Sequence, residues 1–257
     1  MKLHILGALS GTEPFKDLHH TSWVVELDNK SLYWFDAGEC CSHTGYLKKL
    51  DFFNIKAIFI SHPHYDHMGG LLNLFSVYSK MHYIENDRVE REFDLFLPVA
   101  GLRKPFEDLT KALRAWPICT EVGDKLITDG GVFENDEIKV EFRGNNHIPR
   151  EEGEPHQSFS FRITAEGKQI VASCDIDSPA EILDWSKNCD LQLMESGHHH
   201  PWEVCEFWRK NDCNIKEILF IHHGRDVLYT PTEAKIRSER AWGKDVLFAY
   251  DGMTLTV

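Results

Sequence analysis

A run of six residues, His-Pro-His-Tyr-Asp-His from His62 to His67, constrains what this chain can fold into more than any other feature. It follows residues 55–60, an apolar run that predicts a buried strand. Residues i and i+2 of an extended chain share a face, so His62 and His64 can reach one metal ion. Asp66 and His67 come after the chain turns and can face a second ion. Gathering four such groups without a cation would leave costly unpaired polar atoms, so the motif predicts a metal site at a strand end.

Polar residues also stand at the ends of four later predicted strands. The pairs are residues 139–142 with His147, 169–173 with Asp175, 191–194 with Glu195, and 217–221 with His222. The C-terminal ends of strands line one edge of a sheet, where open α/β folds build their ligand sites. We therefore expect these residues and the first motif to converge on one site. Imidazole and carboxylate ligands suit zinc, with manganese or iron as alternatives, and no thiolate ligand is implied.

The remaining pattern is that of an α/β protein. Residues 21–27 and 31–35 flank a predicted hairpin turn at 28–30. Further strands are predicted at 159–164, 246–250 and 253–257, and helices at 69–79, 104–116, 179–187, 201–210 and from Thr230 to Gly243, with Ser178 as an N-cap. Residues 81–135 are the least readable. No Pro-, Gly- or Ser-rich linker divides residues 1–257, so we expect a single domain.

Composition excludes several classes of protein. The net charge of −13, from 28 basic and 41 acidic residues, comes without a basic stripe, so we expect no long nucleic acid as partner. Seven cysteines without a CxxC pair predict reduced thiols in a cytoplasmic protein. No apolar stretch approaches the roughly 18 residues of a membrane helix, and the first apolar run is too short for a signal peptide. We expect no membrane association, and the oligomeric state stays open, with a homodimer as one option.

The six-residue motif and the order of the later polar residues resemble the metallo-β-lactamase superfamily over residues 1 to about 225. The resemblance implies an α/β fold, a four-layer αβ/βα sandwich, with two divalent transition-metal ions. It assigns His62, His64 and His147 to one ion, Asp66, His67 and His222 to the other, and Asp175 as a bridge between the two. Asp36, in Phe-Asp-Ala-Gly-Glu at 35–39, resembles the family's early aspartate behind the ligands. His156 is the alternative to His147, and His223 is the alternative to His222.

The branch of the family follows from finer features. Asp175 stands where members with β-lactam activity commonly carry cysteine, and aspartate there is typical of phosphodiesterases, thioester hydrolases and lactonases. Residues 21–23 and 35–39 resemble the tRNA 3′-processing and small phosphodiesterase branches, as does Leu-Met-Glu-Ser-Gly at 193–197, although Met194 replaces a histidine there. Together with the acidic charge, this predicts a phosphodiesterase that acts on a small anionic substrate through a metal-bridging hydroxide. The alternatives are a thioester or lactone hydrolase and, from another class, a non-catalytic metal-binding scaffold.

A leaving oxygen needs a proton, and Glu195 with the histidines at 198–200 can supply it. His198 is the first choice and His199 the second, whereas the plain alternative is a solvated loop. The residues expected in catalysis are therefore Asp66, Glu195 and His198. Three arginines near ligand-bearing segments are candidates for phosphate binding, although such a residue is more often a solvated surface residue: Arg143, Arg150 and Arg225.

Overall fold

The computed structural model of the chain describes residues 1–84, 93–114 and 123–257, in which fourteen strands form two sheets. The strands are β1 Lys2–Gly7, β2 Ser22–Glu26, β3 Leu32–Phe35, β4 Ile55–Phe59, β5 Asp94–Leu97, β6 Gly123–Leu126, β7 Val132–Glu134, β8 Ile138–Gly144, β9 Phe159–Ala165, β10 Lys168–Ala172, β11 Leu191–Ser196, β12 Glu217–His223, β13 Leu247–Phe248 and β14 Thr254–Thr256. One sheet has the order β14-β1-β2-β3-β4-β5-β6, and the other has the order β13-β12-β11-β10-β9-β8-β7.

Helices cover the outer face of each sheet. Within the described ranges they are α1 Cys41–Leu47, α2 Tyr65–Met68, α3 Leu71–Ile84, α4 Arg103–Ala112, α5 Leu183–Ser186, α6 Pro201–Lys210, α7 Arg225–Tyr229 and α8 Pro231–Trp242, with 3-10 turns at Phe52–Asn54 and Pro179–Ile182. Leu71 and Phe75 of α3 share a cluster with Ile58 of the first sheet. Trp208 of α6 shares a cluster with Phe220 of the second sheet. This arrangement is the expected four-layer αβ/βα sandwich.

The main core lies between the two sheets and is rich in aromatic rings. Phe35 and Phe59 of the first sheet stack with centroids 4.9 Å apart, and Phe161 of the second sheet lies 5.5 Å from Phe35. Strand β4 shows why its sequence is almost continuously apolar. Its residues alternate between the inner core, through Phe59, and the helix-covered outer cluster, through Ile58, so both faces need apolar side chains.

Most of the predicted elements are present, and the differences have physical reasons. Helix α6 begins at a proline as expected, and Gly243 ends α8 with φ of 85°, a left-handed conformation that glycine adopts without strain. Strands β11 and β12 run two residues further than expected because they pair in parallel, with Ser196 opposite His223. Helix α4 ends at Ala112, and residues 115 and 116 of the longer predicted helix lie outside the described residues.

Several strand ends meet at one edge of the sandwich. Strands β8, β10, β11 and β12 run in one direction, as the parallel pairs and the antiparallel β9 between β8 and β10 require. Strand β4 of the other sheet ends at the same edge, so the motif from His62 to His67 that follows it lies there too. In the part of the chain that the structure describes, no helix is long and apolar enough to cross a membrane.

Candidate metal centre

Three histidines form the first group of side chains at this edge. Nδ1 of His64 lies 3.0 Å from Nε2 of His62 and 3.2 Å from Nε2 of His147. Burial lowers the pKa of His62 well below its ordinary value, which keeps its imidazole neutral. Ser61 donates its hydroxyl to Asp36, so the same oxygen accepts from Nδ1 of His62 and leaves Nε2 unprotonated. Ring nitrogens gathered in this way form a ligand set for a cation.

A second group contains two carboxylates and two histidines. Nε2 of His222 lies 3.1 Å from Oδ2 of Asp66, and Nε2 of His67 lies 3.3 Å from Oδ1 of Asp175. The other oxygen of Asp175, Oδ2, lies 3.7 Å from His62 and 3.6 Å from His147. The two oxygens of Asp175 thus face different groups, which is the position that a bridging carboxylate needs.

Unpaired buried atoms test whether a metal fits these residues. Nε2 of His67 and Oδ1 of Asp175 are buried and make no hydrogen bond. Leaving such an atom unpaired costs about 1–3 kcal/mol, and a cation between the two atoms would remove that cost. Burial opposes a charge on His67, but the carboxylates of Asp175 and Asp36 nevertheless raise its pKa well above the ordinary value. The site therefore favours positive charge at this point, and the residues present fit a divalent transition metal.

Asp36 and Ser61 hold the ligands from behind. Oδ1 of Asp36 accepts from the backbone N of Ser61 at 2.7 Å, and Oδ2 accepts from Nδ1 of His67 at 2.8 Å. Asp36 and His222 both have positive φ, 54° and 53°, and Cys174 beside Asp175 has φ of 48°. Strained backbone of this kind persists where the surrounding structure fixes it, and it clusters at functional sites.

The structure separates the expected ligands from their alternatives. His222 lies in the second group, whereas His223 is bonded elsewhere: its Nε2 donates to the carbonyl oxygen of Ala249 at 2.9 Å, and its Nδ1 lies 2.9 Å from the hydroxyl of Ser196. His147 lies in the first group, whereas His156 donates from Nδ1 to the carbonyl oxygen of Asn145.

Glu195 and His198 lie beside the two groups and form two overlapping sets with their members: His147, Asp175 and His198, and Glu195, His198 and His222. Glu195 is buried, and its Oε2 accepts from the backbone N of His198 at 2.9 Å. Nδ1 of His198 lies 3.2 Å from Oε1 of Glu195 and 3.9 Å from Oδ2 of Asp175. The hydrogen bond to Glu195 raises the pKa of His198. The next two histidines are engaged elsewhere, because His199 donates to the carbonyl oxygen of Ile176 and His200 pairs with Asp226.

The arginines considered for phosphate binding have protein partners. Arg143 pairs with Asp184, Arg150 donates to the carbonyl oxygen of Glu154, and Arg225 pairs with Glu13.

Two positioning contacts were not predicted from the sequence. The hydroxyl of Ser61, which directly precedes His62, contacts both Asp36 and His62. Glu181 accepts from the backbone N and from Nδ2 of Asn146, the residue before His147, at 3.2 and 2.6 Å. The sequence carries no signal for the second contact, because it joins residues that are 35 positions apart.

A four-layer αβ/βα sandwich with a cluster of histidines and aspartates at one edge is the architecture of a class of metal-dependent proteins. The chain belongs to the metallo-beta-lactamase superfamily, whose family profile matches residues 16–211. A curated relative, Ribonuclease BN of Proteus mirabilis, is 42% identical over 180 residues, which cover 68% of this chain and 53% of the relative. The chain thus spans about half the length of the curated relatives it matches.

Two solved structures share the fold. The metallo-beta-lactamase fold protein YhfI from Bacillus subtilis superposes with a TM-score of 0.78 at 14% identity, covering 99% of this chain and 98% of its own. The short form of human tRNase Z superposes with a TM-score of 0.72 at 17% identity, covering 100% and 99%.

These relatives correct one expectation. We expected no long nucleic acid as partner because the net charge is −13, and this expectation was wrong, since a relative at 42% identity is named as a ribonuclease. Net charge describes the whole surface, whereas a bound cation would set the field at the site itself.

Proposed function

We propose that the chain is a binuclear metal-dependent hydrolase that cleaves phosphodiester bonds. The observation that carries the proposal is the division of the polar cluster into a three-histidine group and a second group with two carboxylates, with Asp175 facing both. Membership in the metallo-beta-lactamase superfamily supports the hydrolase class. The relative named Ribonuclease BN supports a phosphodiester as the bond that is cleaved.

Each group of side chains would hold one divalent cation, and zinc suits the mixed imidazole and carboxylate set. The first ion would take His62, His64 and His147; the second would take Asp66, His67 and His222, and Asp175 would bridge them. A bound divalent cation polarises a phosphoryl oxygen and lowers the pKa of water, so hydrolysis can proceed near neutral pH. Asp36 and Ser61 would keep the ring nitrogens of His67 and His62 unprotonated toward the ions.

His198 would give the proton to the leaving oxygen. The buried carboxylate of Glu195 orients this imidazole through contacts to its backbone N and its Nδ1. The hydrogen bond to Glu195 raises the pKa of His198, which favours the protonated ring that a general acid needs. His199 and His200 are less suited because a backbone carbonyl oxygen and Asp226 already hold them.

Metal analysis and a substrate panel test the proposal together. The purified protein should contain about two transition-metal ions per chain, as the two ligand groups require. Chelation should abolish hydrolysis of bis(p-nitrophenyl) phosphate, and zinc, manganese or iron should restore it. Precursor tRNA, a chromogenic thioester and a lactone complete the panel. Hydrolysis of only the thioester or the lactone would contradict the phosphodiesterase assignment, and the absence of bound metal would contradict the binuclear site.

A further inference from the structure

A cavity of about 310 Å³, which we call the side pocket, is lined by residues 98–100, 126–129 and 155–157 together with Phe159. Its walls are formed by the chain that follows β5, by the end of β6 and the chain that follows it, and by the segment that leads into β9. Small-molecule sites span about 300–1,000 Å³, so this cavity can take one ring system rather than an extended chain.

Hydrogen bonds tie the side pocket to the segments that carry the three-histidine group. The backbone N of Phe159 donates to the carbonyl oxygen of Ser61, which precedes His62, at 3.1 Å. Nδ1 of His156 donates to the carbonyl oxygen of Asn145, two residues before His147, at 3.0 Å. The side pocket therefore adjoins the three-histidine side of the candidate centre.

The position of His156 in the pocket wall is fixed by its packing on Gly144. A Cβ built at Gly144 would lie 2.3 Å from the His156 ring, so only glycine allows this contact. Since Nδ1 of His156 is bonded to the carbonyl oxygen of Asn145, Nε2 is the ring nitrogen that remains for a ligand. The wall thus presents a defined polar atom.

The pocket combines apolar walls with several hydrogen-bonding groups. The exposed ring of Pro155 and the half-exposed side chain of Leu126 provide apolar surface, whereas Pro98 and Phe159 also line the cavity but are themselves buried. The polar groups are the carboxylate of Asp129, the hydroxyl of Thr128, the imidazole of His156 and the amide of Gln157. A flat ring with polar edges can use both kinds of surface. Its face can pack on the apolar side chains, and its edge can form hydrogen bonds with the polar groups.

Charge and polarity exclude other occupants. Among the described residues that line the pocket there is no lysine or arginine, and Asp129 is an acid, so a second phosphate would be repelled. An aliphatic acyl chain would use the apolar part of the wall and make no hydrogen bond to His156 or Gln157. The chemistry that remains is a neutral heteroaromatic ring with donors and acceptors.

We propose that the side pocket is a subsite for a nucleobase of the phosphodiester substrate. The proposal rests on the proposed phosphodiesterase function and adds to it the part of the substrate that is recognised. A base that buries roughly 50 Å² of apolar surface in the pocket would gain about 1.3 kcal/mol at about 25 cal/mol per Å², so the subsite should raise kcat/KM by roughly tenfold.

Two substrates with one leaving group isolate this contribution. Thymidine 5′-(p-nitrophenyl phosphate) carries a base, whereas methyl p-nitrophenyl phosphate does not. The parent protein should show a kcat/KM ratio of roughly ten or more in favour of the thymidine ester. Ala100→Trp, which fills the pocket from an exposed position, should lower this ratio to near one. Ala112→Trp is the matched control at an exposed alanine of α4 that does not line the pocket, and it should keep the parent ratio.

A binding measurement separates failure of the pocket from failure of the function. Saturation-transfer NMR with thymidine alone should show binding to the parent and loss of binding in Ala100→Trp. If thymidine binds in this way but neither ester is hydrolysed, the function is wrong and the pocket assignment stands. A ratio near one in the parent, or a ratio unchanged by Ala100→Trp, overturns the nucleobase subsite and leaves the phosphodiesterase function intact.

A second variant covers the case in which Ala100→Trp does not fold. Gln157→Ala removes one hydrogen-bonding amide at an exposed position and should lower the ratio about fivefold, the effect of one typical hydrogen bond. An unchanged ratio in this folded variant would contradict the proposal. If Gln157→Ala also changes the rate at which an octanoyl thioester is hydrolysed, the pocket would be assigned to an acyl chain.

Discussion

His67 donates its Nδ1 hydrogen to Oδ2 of Asp36 across 2.8 Å, and both residues are fully buried. This bond fixes the orientation of the His67 ring and directs its Nε2 toward Asp175. Asp36 therefore controls a proposed ligand without lying in either group of ligands itself.

Asp36→Asn should weaken binding of the second metal ion. Asparagine can still accept from the backbone N of Ser61, but its amide would face the ring of His67 as a donor and favour the other tautomer. The affinity of the second ion should fall by about 10–100-fold, as is usual when a partner behind a ligand is lost. Elemental analysis after dialysis should find close to one ion per chain in place of two.

The matched control is Asp17→Asn, the same substitution at an exposed aspartate that also has positive φ, 62°. It should keep both ions. Full occupancy in Asp36→Asn would mean that the orientation of His67 does not depend on this bond.

His64→Ala should abolish turnover and leave the fold intact. The side chain of His64 is exposed on the loop after β4, and its Nδ1 lies within 3.2 Å of two other histidines of the first group. Loss of a direct ligand should lower kcat by more than about 100-fold, since removing partners behind ligands already costs up to that much. The thermal midpoint should match that of His43→Ala, an exposed histidine of α1 that serves as the control. Full activity in His64→Ala would show that the motif has been misread.

The role of His198 can be tested through the leaving group of the substrate. p-Nitrophenolate departs without a proton, whereas the alcohol released from thymidylyl-(3′→5′)-thymidine needs one. His198→Gln should therefore slow cleavage of the dinucleotide by about 100-fold or more and affect bis(p-nitrophenyl) phosphate much less. His199→Gln serves as the comparison, because its ring is held by the carbonyl oxygen of Ile176. Equal losses on both substrates would indicate a structural role for His198.

The sequence predicted the four-layer fold, and the residues expected as ligands lie together at one edge of it. The motif from His62 to His67 is contiguous and follows an apolar strand, so local geometry alone was informative. His147 and His222 could be chosen over His156 and His223 from their order behind strands, and the structure places the chosen pair in the two groups.

Other features depend on contacts that a sequence does not display. Strand β1 pairs with β14 from the far end of the chain, with Lys2 opposite Thr256. The short strands β5 and β6 lie within residues 81–135, the segment that the sequence pattern describes least well. Strands of four residues carry too little periodicity to be predicted. The error about nucleic acid had another origin, since a total charge of −13 says little about the field at one edge.

His222 and His223 are neighbours with opposite expected roles. Nε2 of His222 lies among the atoms of the second group, at 3.1 Å from Asp66 and 3.4 Å from Asp175. His223 is equally buried, but its ring nitrogens contact Ala249 and Ser196. One should therefore bind metal and the other should stabilise the fold.

Parallel asparagine substitutions separate these roles. His222→Asn keeps a residue type that tolerates the φ of 53° at this position, and it should lose one ion per chain and nearly all activity. His223→Asn should keep both ions but lower the free energy of unfolding by about 1–3 kcal/mol, because buried partners lose their hydrogen bonds. Elemental analysis and denaturant unfolding measure the two effects independently. Loss of an ion from His223→Asn, with both ions kept in His222→Asn, would reverse the assignment of the last ligand.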